Sequence, residues 1–109
     1  MDMKIFCAIL ILAVLFSGCV EQAKKTAVEE SDAAKNACIK KCQDVLAAGQ
    51  DLSNGPCLSN EIIKNWVCDV AHSPRQAVDN NPANQCFAYG NTASHFVEVD
   101  PNCGFIQTM

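Results

Sequence analysis

Arginine occurs once in this chain, at Arg75, and histidine twice, at His72 and His95. Basic side chains are outnumbered, 8 Lys and Arg against 12 Asp and Glu, for a net charge of −4. That balance argues against a nucleic-acid partner, whose phosphates require a basic footprint. It also supplies no polybasic patch for an anionic membrane surface, so any anchoring would fall to a lipid. No apolar run is long enough to cross a bilayer, which takes about 20 residues. The longest, Ile5 to Phe16, ends at Gly18-Cys19 and is followed by Glu21, Lys24 and Lys25. The chain has no Cys-x-x-Cys pair, nucleophile elbow, His-Glu-x-x-His string, Walker loop or dinucleotide fingerprint, so no cofactor or metal is implied and no catalytic residue is named. There is no internal repeat, and no second globular domain is expected.

What is present begins at the N-terminus. Lys4 supplies a positive n-region, Ile5 to Phe16 an apolar h-region, and Ser17-Gly18 the small residues a signal peptidase needs beside its cut. With Cys19 directly after them, Leu15-Phe16-Ser17-Gly18-Cys19 resembles the lipobox of prokaryotic lipoprotein precursors, with Phe16 where that pattern usually has Leu. The resemblance covers only residues 1–19. It implies removal of residues 1–18, diacylation of Cys19 as the new N-terminus, and attachment to the cell membrane through that lipid. The alternative is a secretory signal cut by the general peptidase, which would leave Cys19 as an ordinary thiol.

Eight cysteines are present. Cys7 would leave with the signal and Cys19 would take the lipid. Cys38, Cys42, Cys57, Cys68, Cys86 and Cys103 then form an even set, which outside the cytoplasm reads as three disulfides. Such bridges are expected in a domain this small, whose core is limited.

Residues 19–31, rich in Ala, Glu and Lys without an apolar stripe, read as a lipidated cysteine and tether, partly helical by propensity. Residues 32–109 form the globular domain. A helix is expected from Asp32 to Ala48, with Ser31 or Asp32 as N-cap, Gly49 as its stop, and Ala34, Cys38, Cys42, Val45 and Leu46 as its buried stripe. Asn54-Gly55-Pro56 marks a turn. A second, antiparallel helix is expected from Ser59, with Ile62, Ile63, Trp66, Val67 and Val70 as its apolar face and Pro74 as its stop. Asn81-Pro82 opens a short third helix ending at Gly90. His95 to Val99 and Cys103 to Ile106 read as a C-terminal β-hairpin around Asp100-Pro101-Asn102. The fold class is therefore α+β: a small disulfide-stapled domain of two antiparallel helices, a short third helix and a hairpin. Its aromatic residues Trp66, Phe87, Tyr89, Phe96 and Phe105 are expected in the core.

Cys38 and Cys42 lie on one helical face with parallel side chains and should not bond to each other. Folding the first two helices back on each other brings Cys38 to Cys68 and Cys42 to Cys57, leaving Cys86 with Cys103. Asp69, His72 and Arg75 recur every third residue. The plain reading places His72 on helix C-terminal carbonyls and pairs Arg75 with Asp69 or Asp79. The sharper one has Arg75 gripping a ligand carboxylate or phosphate. Convergence of His72 and His95 beside Asp69 or Asp100 would instead build a metal site or a general base.

The expectation is a lipid-anchored extracytoplasmic lipoprotein with a non-catalytic binding or structural role at the cell surface, its partners the membrane and an envelope protein. The alternative is an extracytoplasmic metal-binding protein or small hydrolase using His72, His95 and a nearby carboxylate. A third possibility, a subunit of an envelope complex, would show a contiguous exposed apolar patch.

Overall fold

The computed structural model describes residues 26–109; the signal region, the lipobox, Cys19 and the start of the tether lie outside them. The chain divides into two units, Met1–Glu30 and Ser31–Met109. Of the first, residues 26–30 are helical and exposed. They place the tether's last residues in a helix, and neither Ser31 nor Asp32 caps a helix start.

In the second unit, helix α1 occupies 31–47. Gly49 stops it at φ 90°, where its amide donates to the Leu46 carbonyl and that of Gln50 to the Val45 carbonyl, the Schellman arrangement that favours glycine. Ala34, Cys38 and Cys42 are fully buried on one face, with Ile39 and Val45 packed beside them. Leu46, expected in that stripe, is exposed. Each step of four residues overshoots a turn by about 40°, so Leu46 lies about 120° from Ala34 while Val45 returns to the stripe.

Four strands follow: β1 Cys57–Ile63, β2 Trp66–Val70, β3 His95–Val99 and β4 Phe105–Thr108. They form one sheet in sequence order, antiparallel for β1/β2 and β3/β4 and parallel for β2/β3. Among the described residues the architecture is α+β, with one helix, a four-stranded sheet and three disulfides.

The second helix is a hairpin instead. Ile62, Ile63, Val67 and Val70 are β-branched and fit a pleated surface better than a helix. Asn65 takes φ 73° in the two-residue turn between Ile63 and Trp66, an angle asparagine tolerates. The third helix shortens to a 3₁₀ turn, Pro82–Asn84, where the Ala83 amide donates to the Asn81 side chain. Asn81 and Pro82 play the expected roles, but Gln85 is already extended and Cys86 is bonded to Cys57. The C-terminal hairpin is present, its turn held by Asp100 Oδ1, which accepts from the amides of Asn102 and Gly104 at 2.8 Å each.

Alternation along the strands divides the sheet into two faces. Trp66, Cys68 and Val70 of β2 and Val97 and Val99 of β3 meet α1 in the main core with Leu52 and Cys103. Val67, Asp69, Phe96 and Glu98 point to the other face, where the crossover 71–94 brings Cys86, Ala88 and Ala93 against Val67. Being covered on both sides, β2 has Trp66, Val67, Cys68 and Val70 all buried. Of the five aromatic residues expected inside, only Trp66 is buried. Phe96 is partly covered, and Phe87, Tyr89 and Phe105 are exposed, Phe105 beneath the Lys35 ammonium at 4.2 Å.

The disulfides are Cys38–Cys68, Cys42–Cys103 and Cys57–Cys86. Two of the three expected pairings are corrected: Cys42 does not meet Cys57, nor Cys86 Cys103. With a hairpin in place of the second helix, Cys57 and Cys68 sit on neighbouring strands and their side chains reach opposite faces. Cys68 faces α1, whereas Cys57 meets the crossover. Cys42, one turn beyond Cys38 on α1, reaches the β3–β4 turn.

Candidate functional site

A parallel strand pair usually needs a helical crossover, but 71–94 has no apolar stripe and contains only the 3₁₀ turns Ala77–Asn80 and Pro82–Asn84. Side chains hold it instead. Asp79 is buried. Its Oδ2 accepts from the amides of His72 at 3.0 Å and Gln76 at 2.8 Å, and its Oδ1 pairs with His72 Nδ1 at 2.9 Å. Burial pushes this carboxyl up, but the two amides and the imidazole outweigh it and hold it below the ordinary carboxylate range. Gly55, at φ 66°, gives Asp79 room: a Cβ there would stand 2.5 Å from Oδ1.

Arg75 extends this arrangement to the sheet. Its Nε donates to Asn80 Oδ1 at 2.8 Å, its Nη2 to the Asp79 carbonyl at 3.2 Å and its Nη1 to Glu98 Oε2 at 3.0 Å. Glu98, 6% exposed, receives Gln107 Nε2 on Oε1 at 2.6 Å. The guanidinium thus ties crossover to β3, and Arg75 pairs with Glu98 and a carbonyl where the side chain of Asp69 or Asp79 was expected. Replacing Arg75 with Met strands a buried carboxylate. We expect a stability loss of about 2 kcal/mol at pH 7, moderated by the arginine's own partial exposure. Urea unfolding measures it, and an unchanged midpoint would show that Gln107 alone suffices.

Beside this bridge lies a pocket of about 210 Å³ on the sheet face away from α1, floored by Val67 and Phe96 and lined by Asp69, Arg75, Gln85, Cys86, Tyr89, Glu98 and Gln107. Asp69 and Glu98 are register partners across the parallel pair, so two carboxyls stand side by side. Asp69 Oδ1 is buried without a hydrogen-bond partner. Burial first, and then the neighbouring Glu98 charge, push the Asp69 carboxyl up to about 7, with Arg75 and the Val70 amide pulling it back less. A carboxyl poised near neutrality in a lined pocket is a recognised sign of a binding or reactive site.

Of the four residues singled out in the sequence, the pocket gathers two, Asp69 and Arg75. His72 stands behind it on Asp79. His95 stacks on Trp66, ring centroids 4.6 Å apart, at the opposite end of the β2–β3 pair, since Trp66 partners His95 while Val70 partners Val99. The two imidazoles therefore do not line one cavity, and the convergence of His72 and His95 on which the alternative reading depended does not occur. Among the described residues no three His, Cys, Asp or Glu side chains are grouped to hold a metal ion. Arg75, with three donors engaged inside the chain, is a strut between elements. The sequence reading missed Glu98 as an ion-pair partner, Gln107, and the wall of Tyr89 and Phe96. The available signal was a single acid at matching places in two apolar strands, Asp69 in Trp66–Val70 and Glu98 in His95–Val99. No protein family matches the chain, and neither a curated protein nor a solved structure does.

Proposed function

We propose that this protein is a small extracytoplasmic lipoprotein, held on the membrane by acylated Cys19, whose disulfide-stapled domain binds a ligand in the sheet-face pocket without chemically transforming it. The pocket carries the reading. It is partly apolar, it is built on strands, and it holds a buried carboxyl oxygen, Asp69 Oδ1, that has no hydrogen-bond partner. Glu98 Oε2, three Arg75 donors and the His72 ring are engaged in holding the crossover and Glu98 Oε1 in a bond to Gln107 of β4, which favours a rigid receptor over residues that must exchange protons in turnover. Three disulfides point to an oxidising, extracytoplasmic environment. No helix among the described residues is long and apolar enough to cross a membrane, and the proposed lipid would supply attachment from the N-terminal side of the domain.

The anchor is tested by the intact mass of the protein from its native host, with thiol labelling before and after reduction. The expected result is an acyl mass on Cys19, six thiols that label only after reduction, and a Cys19→Ser variant that leaves the membrane fraction. A wild-type protein in the soluble fraction with Cys19 open to labelling would overturn the anchor.

A further inference from the structure

We infer that the sheet-face pocket takes a primary ammonium group on a short alkyl stem, seated beside the Asp69 and Glu98 carboxyls against the Tyr89 and Phe96 rings. The inference rests on the binding role proposed above and names the chemistry of the ligand. The charge count comes first. Arg75 and Glu98 form an ion pair at 3.0 Å, so one positive and one negative charge are already matched. Ionisation of Asp69 adds a negative charge with no countercharge in the pocket, next to Glu98 and with one oxygen unpartnered. A cation entering the pocket removes that penalty, whereas an anion would meet two carboxyls and a guanidinium with three of its five N–H donors already engaged and its charge matched by Glu98.

The wall is suited to the same group. Tyr89 and Phe96 meet edge to face with centroids 5.1 Å apart, so two rings at an angle border the charged end, and an ammonium over such a face gains about 0.5–2 kcal/mol. Volume sets the stem. About 210 Å³ is the room of roughly seven water molecules at about 30 Å³ each, enough for a four-carbon alkylammonium lying over Val67 and Phe96. A lysine side chain and a free alkylamine share this chemistry.

Binding should be linked to protons. Glu98 from β3, Arg75, Asp79 and Tyr89 from the crossover, and no charged group from β4 face or surround Asp69. Below neutrality Asp69 holds a proton that the ammonium must displace, so affinity rises with pH up to about 7 and levels above it.

The test is a titration of the full-length protein in detergent, followed by the amide resonances of Val67, Tyr89 and Gln107, with n-butylammonium chloride, sodium butyrate, n-butanol and the tripeptide acetyl-Gly-Lys-Gly amide as probes at equal ionic strength. We expect saturable shifts with n-butylammonium at pH 8, about ten-fold weaker binding at pH 5.5, and in Asp69→Asn a loss of about ten-fold with no remaining pH dependence. If the tripeptide binds as well as n-butylammonium, the ammonium belongs to a lysine side chain. If it does not, the ligand is a free amine, and either result supports the assignment. Saturation by butyrate or butanol but not by n-butylammonium would overturn the cation while leaving a binding pocket. No saturation by any probe would overturn both the cation and the pocket's binding role.

Discussion

Replacing Cys42 and Cys103 together with alanine should lower the unfolding free energy by about 4 kcal/mol. This bond joins residues 61 apart in sequence, against 30 for Cys38–Cys68 and 29 for Cys57–Cys86. Loop-closure entropy grows with the logarithm of that separation, and even with the Cys38–Cys68 link shortening the path it reaches about 4 kcal/mol. Both sulfurs also sit in the main core, where Cys42 is fully buried, so truncation leaves a cavity besides. A small domain with a net stability of roughly 5–15 kcal/mol loses a large share of it. Without the bond, α1 stays joined to β2 at Cys68, but nothing covalent holds its C-terminal half to the β3–β4 turn. Urea unfolding at pH 6 measures the loss, with the Cys57→Ala, Cys86→Ala double variant as comparison. A loss under about 1 kcal/mol for the Cys42, Cys103 variant would show that α1 docks by packing alone.

Asp69→Asn should stabilise the domain at pH 8 by about 2 kcal/mol and leave it unchanged below pH 4. The sign follows from where the proton is held. An aspartate in the unfolded chain titrates near 3.8, whereas in the folded protein Asp69 is pushed up to about 7. Between these values folding takes up a proton, so stability falls as pH rises through that window and levels off above it. The displacement corresponds to at most about 4 kcal/mol, roughly halved here because the carboxyl is partly exposed and the amide must be buried in its place. Asp79 acts in the opposite sense. Its carboxyl is held below 3.8, so its contribution is present above that pH and is lost as pH falls through its folded value. Thermal or urea unfolding of both proteins from about pH 2 to 8.5 reads the two effects separately, because Asp69→Asn leaves the acid limb in place. Parallel curves for the wild type and Asp69→Asn would mean that Asp69 is ionised at neutral pH without cost.

The sequence made α1 legible because its signals are local. Ala34, Cys38 and Cys42 mark a face by their spacing, and Gly49 marks an end by its backbone freedom. The C-terminal hairpin was legible for the same reason, from β-rich residues on either side of Asp100-Pro101-Asn102. The segment Ile62 to Val70 was not, since a strand covered on both faces loses the alternation that separates it from a buried helix. Once β1 and β2 are read as a helix, the disulfides that depend on their direction go wrong as well. Cys57 would then stand just ahead of the helix that carries Cys68, both turned toward α1, whereas they sit on adjacent strands and bond to different elements. The pocket was the least legible feature, because Asp69 and Glu98 meet only through the parallel β2–β3 register. That pairing spans the whole crossover, and no spacing in the chain announces it.

The measurement closest to the central claim is a titration of the Asp69 side-chain carboxyl by carbon-13 NMR, with and without saturating n-butylammonium chloride. The expected result is a midpoint near 7 in the free protein that moves down by at least one pH unit when the ammonium is present, with no movement in equimolar sodium chloride. A midpoint near 4 in the free protein, unmoved by n-butylammonium, would contradict the account: Asp69 would then be an ordinary solvated carboxylate, and the sheet face no site for a cation.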